Sequence, residues 1–174
     1  MSSETVVTLL VGLAALASSA GLVTGRAARP VATASVLLLA AALLVGWSDD
    51  ASHDLDRGVA VLTDVLAGVL AVAGGGLVTT QVFSLVEERD EVRHAGTVLR
   101  GGAWIGALER LGVFVALVAG WAPGLAIVLA VKGLGRYPEL RSQDDTGVAE
   151  RFIIGTFTSV LWAVACAGVA VLAP

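Results

Sequence analysis

From Val6 to Gly25 the chain runs through twenty residues without one charged side chain, and comparable apolar stretches recur along its whole length. An α-helix rises 1.5 Å per residue, so about 20 apolar residues suffice to cross the ~30 Å hydrocarbon core of a bilayer. Pro30 to Trp47 is a second candidate. Val59 to Val86 is a third, interrupted by Asp64 and by the polar triplet Thr79, Thr80 and Gln81. Ala103 to Gly120 and Pro123 to Arg136 follow, split by "GWAPG", and Phe152 to Leu172 is the last. The remaining connections leave no room for a soluble domain; the longest are Ser48 to Arg57, Glu87 to Arg100 and Tyr137 to Arg151.

Composition points the same way. Hydrophobic residues make up 56% of the 174 and charged residues only 15%, with a mean hydropathy of +0.86. Soluble domains carry about 25% charged residues. The expectation is an all-α fold, a polytopic transmembrane bundle of about six helices in a single domain, 1–174, with helices four and five forming a short hairpin around "GWAPG". At 18 and 14 residues those two runs are short, so a re-entrant pair is an alternative to two full crossings. The first run has no basic residues before it in "MSSET", which favours a retained helix over a cleaved signal.

Basic residues are distributed unevenly. Arg26, Arg29, Arg89, Arg93, Arg100, Lys132, Arg136, Arg141 and Arg151, nine of the eleven, fall at one end of an alternating six-helix topology. Arg57 alone lies in the acidic connection "SDDASHDLDR", and Arg110 lies within an apolar run. We call these the basic and the acidic end. Under the positive-inside bias the basic end is expected to be cytoplasmic and both termini extracytoplasmic. Anionic lipid headgroups account for the basicity without nucleic acid.

Small residues recur four apart at Gly21 and Gly25, at Ala67, Ala71 and Gly75, and at Gly102 and Gly106. Each set lies on one helix face and admits a close backbone approach, to another helix of the chain or to a partner or second copy. The run "AGGGL" at Ala73 to Leu77 predicts a kink or a close crossing. Cys166, the one cysteine, reads as a small packing residue.

The charges inside apolar runs are the candidate sites. Glu109 and Arg110 are adjacent, so they point about 100° apart on a helix and face different neighbours. In a hairpin turning near Ala122, Glu109 comes within reach of Lys132 and Arg136, and the start of the last helix brings Glu150 and Arg151 to the same end. The expected arrangement is an ionic network: Glu109 with Lys132 or Arg136, and Arg110 with Glu150 or a lipid phosphate. Asp64, an acid within the third run, is expected either to pair with Arg57 or to face water. In the alternative transport reading, Asp64 and Glu109 are steps of an ion path lined by Thr79, Thr80, Gln81, Thr156 and Ser159.

No metal centre, cofactor or catalytic group is expected. His53 with Asp54 and Asp56, and Glu91 with His94, lack a second ligand set, and no phosphate loop, nucleophile elbow or zinc-protease motif occurs.

Ile105, Gly106, Leu108, Glu109 and Arg110, then Ala130, Lys132 and Arg136, then Glu150, Ile154, Gly155, Thr156 and Ser159 form a spaced pattern. In these residues 101–174 resembles the C-terminal membrane module of a family of bacterial integral membrane proteins known only as a domain of unknown function. Gly133 stands where that family commonly has Ser. The N-terminal half, 1–100, diverges: the family's opening helix often bears His and Asp, and "VVTLLVGLAALASSAGLVTG" has neither. The resemblance implies a bacterial cytoplasmic membrane as the setting, the membrane topology and the charged cluster, and no activity.

Overall fold

The computed structural model describes residues 3–24, 28–48, 57–86, 102–138 and 148–172. Among the described residues the fold is all-α, with six helices: α1 (Ser3–Thr24), α2 (Ala28–Ser48), α3 (Arg57–Val86), α4 (Gly102–Val118), α5 (Pro123–Gly135) and α6 (Val148–Leu172). Three of them, α1, α3 and α6, are long and apolar enough to cross a membrane. The apolar parts of α2 and α5, Arg29–Val45 and Pro123–Gly135, are shorter. The fourth helix has 17 residues and holds both Glu109 and Arg110. The described residues thus form the expected six helices, but half of these fall short of a full crossing by length and composition. The sites read at 49–56 and 87–100, including His53 and His94, lie outside the described residues.

Helix α3 is the axis of the bundle, packing against α1, α2, α4 and α6, while α5 packs chiefly on α4. Paired contacts give the directions. Thr8 with Thr63, and Gly21 with Leu77, set α1 parallel to α3. Gly68 with Phe114, and Gly75 with Arg110, set α4 antiparallel to it. Phe83 with Gly155, and Leu70 with Trp162, do the same for α6. The core is built from Val7, Val11, Leu39, Leu70, Phe114, Trp162 and Val169, with alanines between them and Cys166 among them.

Hydroxyls stitch the first three helices together. Ser18 and Ser35 meet at 2.7 Å in the fully buried α1–α2 contact. Ser35 also bonds the Val31 carbonyl of its own turn at 2.9 Å, so Ser18 is the donor across the helices. The Thr8 and Thr63 hydroxyls meet at 2.7 Å between α1 and α3. Such short polar side chains cost little in an apolar run and give lateral specificity where lipid-like surfaces supply none.

"GWAPG" encodes the whole α4–α5 turn. Trp121 N–H donates to Ala116 O at 2.8 Å and Gly120 N–H to Leu117 O at 3.0 Å, the two bonds of a Schellman motif. That motif needs a left-handed residue, and Gly120 has φ 69°. Pro123 opens α5, where its missing N–H costs nothing.

The glycine run does not interrupt α3, which is continuous over Arg57–Val86. It serves close approach instead. A Cβ on Gly74 would lie 2.7 Å from Trp162 Cζ2, and one on Gly75 would lie 2.3 Å from Arg110 Cδ. The Trp162 ring cannot retreat freely, because its Nε1–H donates to Leu70 O at 3.0 Å. Gly74→Val should therefore destabilise the bundle by about 1–3 kcal/mol through overpacking. Gly133→Ala, with open space at Cβ, should be neutral or slightly stabilising. Thermal unfolding of both variants in nanodiscs checks the contrast.

Candidate functional site

Two neighbours on α4 divide the site between them. Glu109 turns toward α5 and forms an ion pair with Lys132. Both side chains are largely shielded, at 14% and 16% exposure. Arg110, one residue on, turns into the bundle and is buried against α3 and α6. Its Nε and Nη2 both donate to the Val72 carbonyl, at 3.1 and 2.8 Å, and Nη1 donates to Ser159 Oγ at 3.4 Å. A guanidinium is suited to this, because its planar fork can direct two donors at one oxygen.

The socket for Arg110 is made from small residues. Gly75 passes under its aliphatic stem, and Gly106, one turn earlier on α4, leaves room for Nη1, which would lie 3.1 Å from a Cβ there. Without side chains at these positions the charge reaches a helix carbonyl that would otherwise be screened by its own turn.

The expected single network is therefore separate arrangements. Glu109 takes Lys132, as the hairpin register allows. That register follows from Gly112 against Val128 and Gly124 against Ala116, which set the facing pairs one turn apart along the hairpin. Arg110 does not bond Glu150. It faces α3, about 100° away from its neighbour, and it finds a carbonyl and a hydroxyl there instead. Arg151 lies over the Phe83 ring, 4.5 Å from guanidinium carbon to centroid, a cation–π contact across α6 and α3. Glu150 is exposed in the first turn of α6, and the Arg136 backbone N–H closes the end of α5 on Lys132 O at 3.2 Å. Lys132 also approaches the Phe152 ring, at 5.8 Å.

The proposed path residues are dispersed as well. Thr79 and Thr80 return their hydroxyls to Gly75 O and Gly76 O, at 2.7 and 2.9 Å, inside their own helix. Gln81 is half-buried. Ser159 binds Arg110, and Thr156 lies one turn nearer the basic end on the same face of α6. Asp64 is half-buried on the α3 face that carries Gly68. Between it and Glu109 the ring of Phe114 rests against Gly68, 3.2 Å from a Cβ built there, and Leu70 and Trp162 fill the same layer.

Two oxygens stand out at the basic side of Arg110. Glu109 Oε1 and Thr156 Oγ1 are buried without a hydrogen-bond partner. Phe152, Thr156 and Ser159 share one stripe of α6, and Lys132 sits by the first while Arg110 sits by the last. Thr156 is thus held between the Glu109–Lys132 pair and the Arg110 socket.

The Val72 acceptor was not legible in the sequence, since any carbonyl can accept. The signal that existed was a triple glycine in one apolar run and an arginine within another.

No family model, curated protein or solved structure matches this chain, so the family resemblance rests on the residues quoted for it.

Removing Arg110 vacates a packed socket, so Arg110→Ala should cost about 2–5 kcal/mol, in the range of large-to-small core changes. Arg110→Lys should fall between it and the wild type, because an ammonium cannot fork onto Val72. Glu109→Ala leaves the largely shielded Lys132 unpaired and should destabilise more than Asp64→Asn. Adding Lys132→Met to Glu109→Ala should restore part of the loss. Thermal melts of these five variants and the wild type in nanodiscs decide each comparison; equal and negligible effects of Glu109→Ala and Asp64→Asn would refute the structural role of the pair.

Proposed function

We propose that this chain is an integral membrane protein with a structural, partner- or lipid-binding role, whose charged side chains hold the helices in register and present the basic end to anionic headgroups. Under this reading the basic end faces the cytoplasm and both termini lie outside, as the distribution of Arg and Lys favours, and the family resemblance implies a bacterial cytoplasmic membrane. The likeness of residues 101–174 to an uncharacterised membrane module is consistent with that placement and adds no activity.

The observation that carries the proposal is the packed layer of Leu70, Phe114 and Trp162 between Asp64 and Glu109. Transport along those two acids would need a polar route through this layer, and its side chains are apolar apart from an indole N–H already bonded to Leu70 O. Arg110 likewise acts as a strut joining three helices rather than as a free charge. The unpartnered Glu109 Oε1 and Thr156 Oγ1 mark where a hydrogen-bond donor from a headgroup or a partner helix is best received.

Thermal unfolding in nanodiscs of zwitterionic lipid, with and without anionic lipid, tests the proposal on wild type and Glu109→Gln. A ligand at a hundred times its Kd stabilises by about 2.7 kcal/mol. Anionic lipid should raise the wild-type Tm, and inorganic ions and small metabolites should not. Ion- or proton-coupled flux in liposomes that is abolished by Glu109→Gln would overturn the proposal in favour of transport.

A further inference from the structure

The α4–α5 hairpin has a lipid-facing surface with a definite top and bottom. Trp104 is 79% exposed near the start of α4 and Tyr137 is 56% exposed just past α5. Continuing the hairpin register from Glu109 with Lys132 brings Tyr137 level with Ala103 and Trp104. Trp121, 54% exposed, marks the opposite limit at the turn. Between these levels every exposed residue of α4 and α5 is apolar, including Leu108, Leu111, Val115, Ile127 and Val131. Lys132 falls inside the band, but its amine is turned back to Glu109.

From this pattern we infer that α4 and α5 both cross the bilayer, with Trp104 and Tyr137 in one interface and Trp121 in the other. Tryptophan and tyrosine collect at the headgroup level because their rings are apolar and their N–H or O–H needs a polar neighbour. The band between the two levels is contacted by acyl chains. A re-entrant hairpin would instead hold residues 119–123 in hydrocarbon, where these residues are exposed; the Trp121 and Ala122 carbonyls accept from Gly124 and Leu125 N–H, but those of Ala119 and Gly120 accept no bond among the described residues and would go unsatisfied. Such a turn is tolerated at membrane depth only when protein covers it, and α5 packs chiefly on α4 alone.

The distance from Trp104 to Trp121 along the hairpin is about 25 Å, some 5 Å less than a ~30 Å core, a mismatch that local thinning accommodates. One consequence concerns Asp64. Phe114 faces Gly68, so a turn further along each antiparallel helix sets Asp64 level with Val118, at the end of α4. Its carboxylate lies at the level of the Trp121 interface, within reach of water, and needs no partner inside hydrocarbon.

The test compares depth and sidedness in reconstituted vesicles. Wild type and Trp121→Phe are measured in lipids brominated near the headgroup or near the chain end, and the difference in emission isolates Trp121. The expected loss is greater with shallow bromine, as for the corresponding Trp104→Phe difference. Greater loss of Trp121 emission with deep bromine would overturn the inference, and so would no loss with either, which would mean that protein covers the face. In the second arm, Ala122→Cys and Tyr137→Cys are labelled with a membrane-impermeant maleimide, the native Cys166 being buried in the core. Labelling from opposite sides is expected; labelling of both from one side would establish the re-entrant hairpin instead.

Discussion

A guanidinium in the interior of an apolar bundle must spend its hydrogens or the fold pays several kcal/mol for them. Arg110 meets this constraint by laying two donors on one backbone carbonyl of α3 and one on Ser159 of α6. Much of the structure around it follows from that geometry. The carbonyl of Val72 is reachable because Gly75 has no side chain in the way, and the same glycine run lets Trp162 close on α3 from the other flank. The glycines weaken the intrinsic preference of α3 for helix, by up to about 1 kcal/mol each, and the tertiary contacts they admit offset it. Arg110 thus fastens three helices through one atom of the central one.

Glu109 and Lys132 do a related task at lower burial. Their pair joins α4 to α5, the one helix that packs chiefly on a single neighbour. Apolar side chains facing lipid cannot fix that helix, since acyl chains are as apolar as leucine and no hydrophobic gain distinguishes one lateral position from another. An ion pair shielded from water, together with the Schellman turn at Gly120, supplies the register that the apolar surface does not. The hydroxyl pairs Ser18–Ser35 and Thr8–Thr63 serve the α1–α2–α3 half in the same way, with neutral groups. The bundle is therefore apolar in bulk and polar at the few points that specify its packing.

Asp64 illustrates how depth governs the meaning of a charge. By position in its apolar run it looked like an intramembrane acid. Measured against the hairpin it lies at the level of the turn, on the far side of Phe114 from Glu109. The two acids are separated by the packed apolar layer of Leu70, Phe114 and Trp162.

The six described helices, the hairpin and the three helices apolar and long enough to cross a membrane were legible in the sequence, because an apolar run of given length has few folded solutions and because Gly-Trp-Ala-Pro-Gly is a turn in almost any helical context. The pairing of Glu109 with Lys132 was one of two readings that helix spacing allowed. What Arg110 binds was not legible: its acceptor is a main-chain oxygen, identical at every residue, and only the meeting of α3, α4 and α6 makes one of them available. Sequence determines which side chains are too polar to face lipid; the tertiary structure decides where each one goes, because the rotation of a helix about its axis is set by its neighbours and not by its own residues.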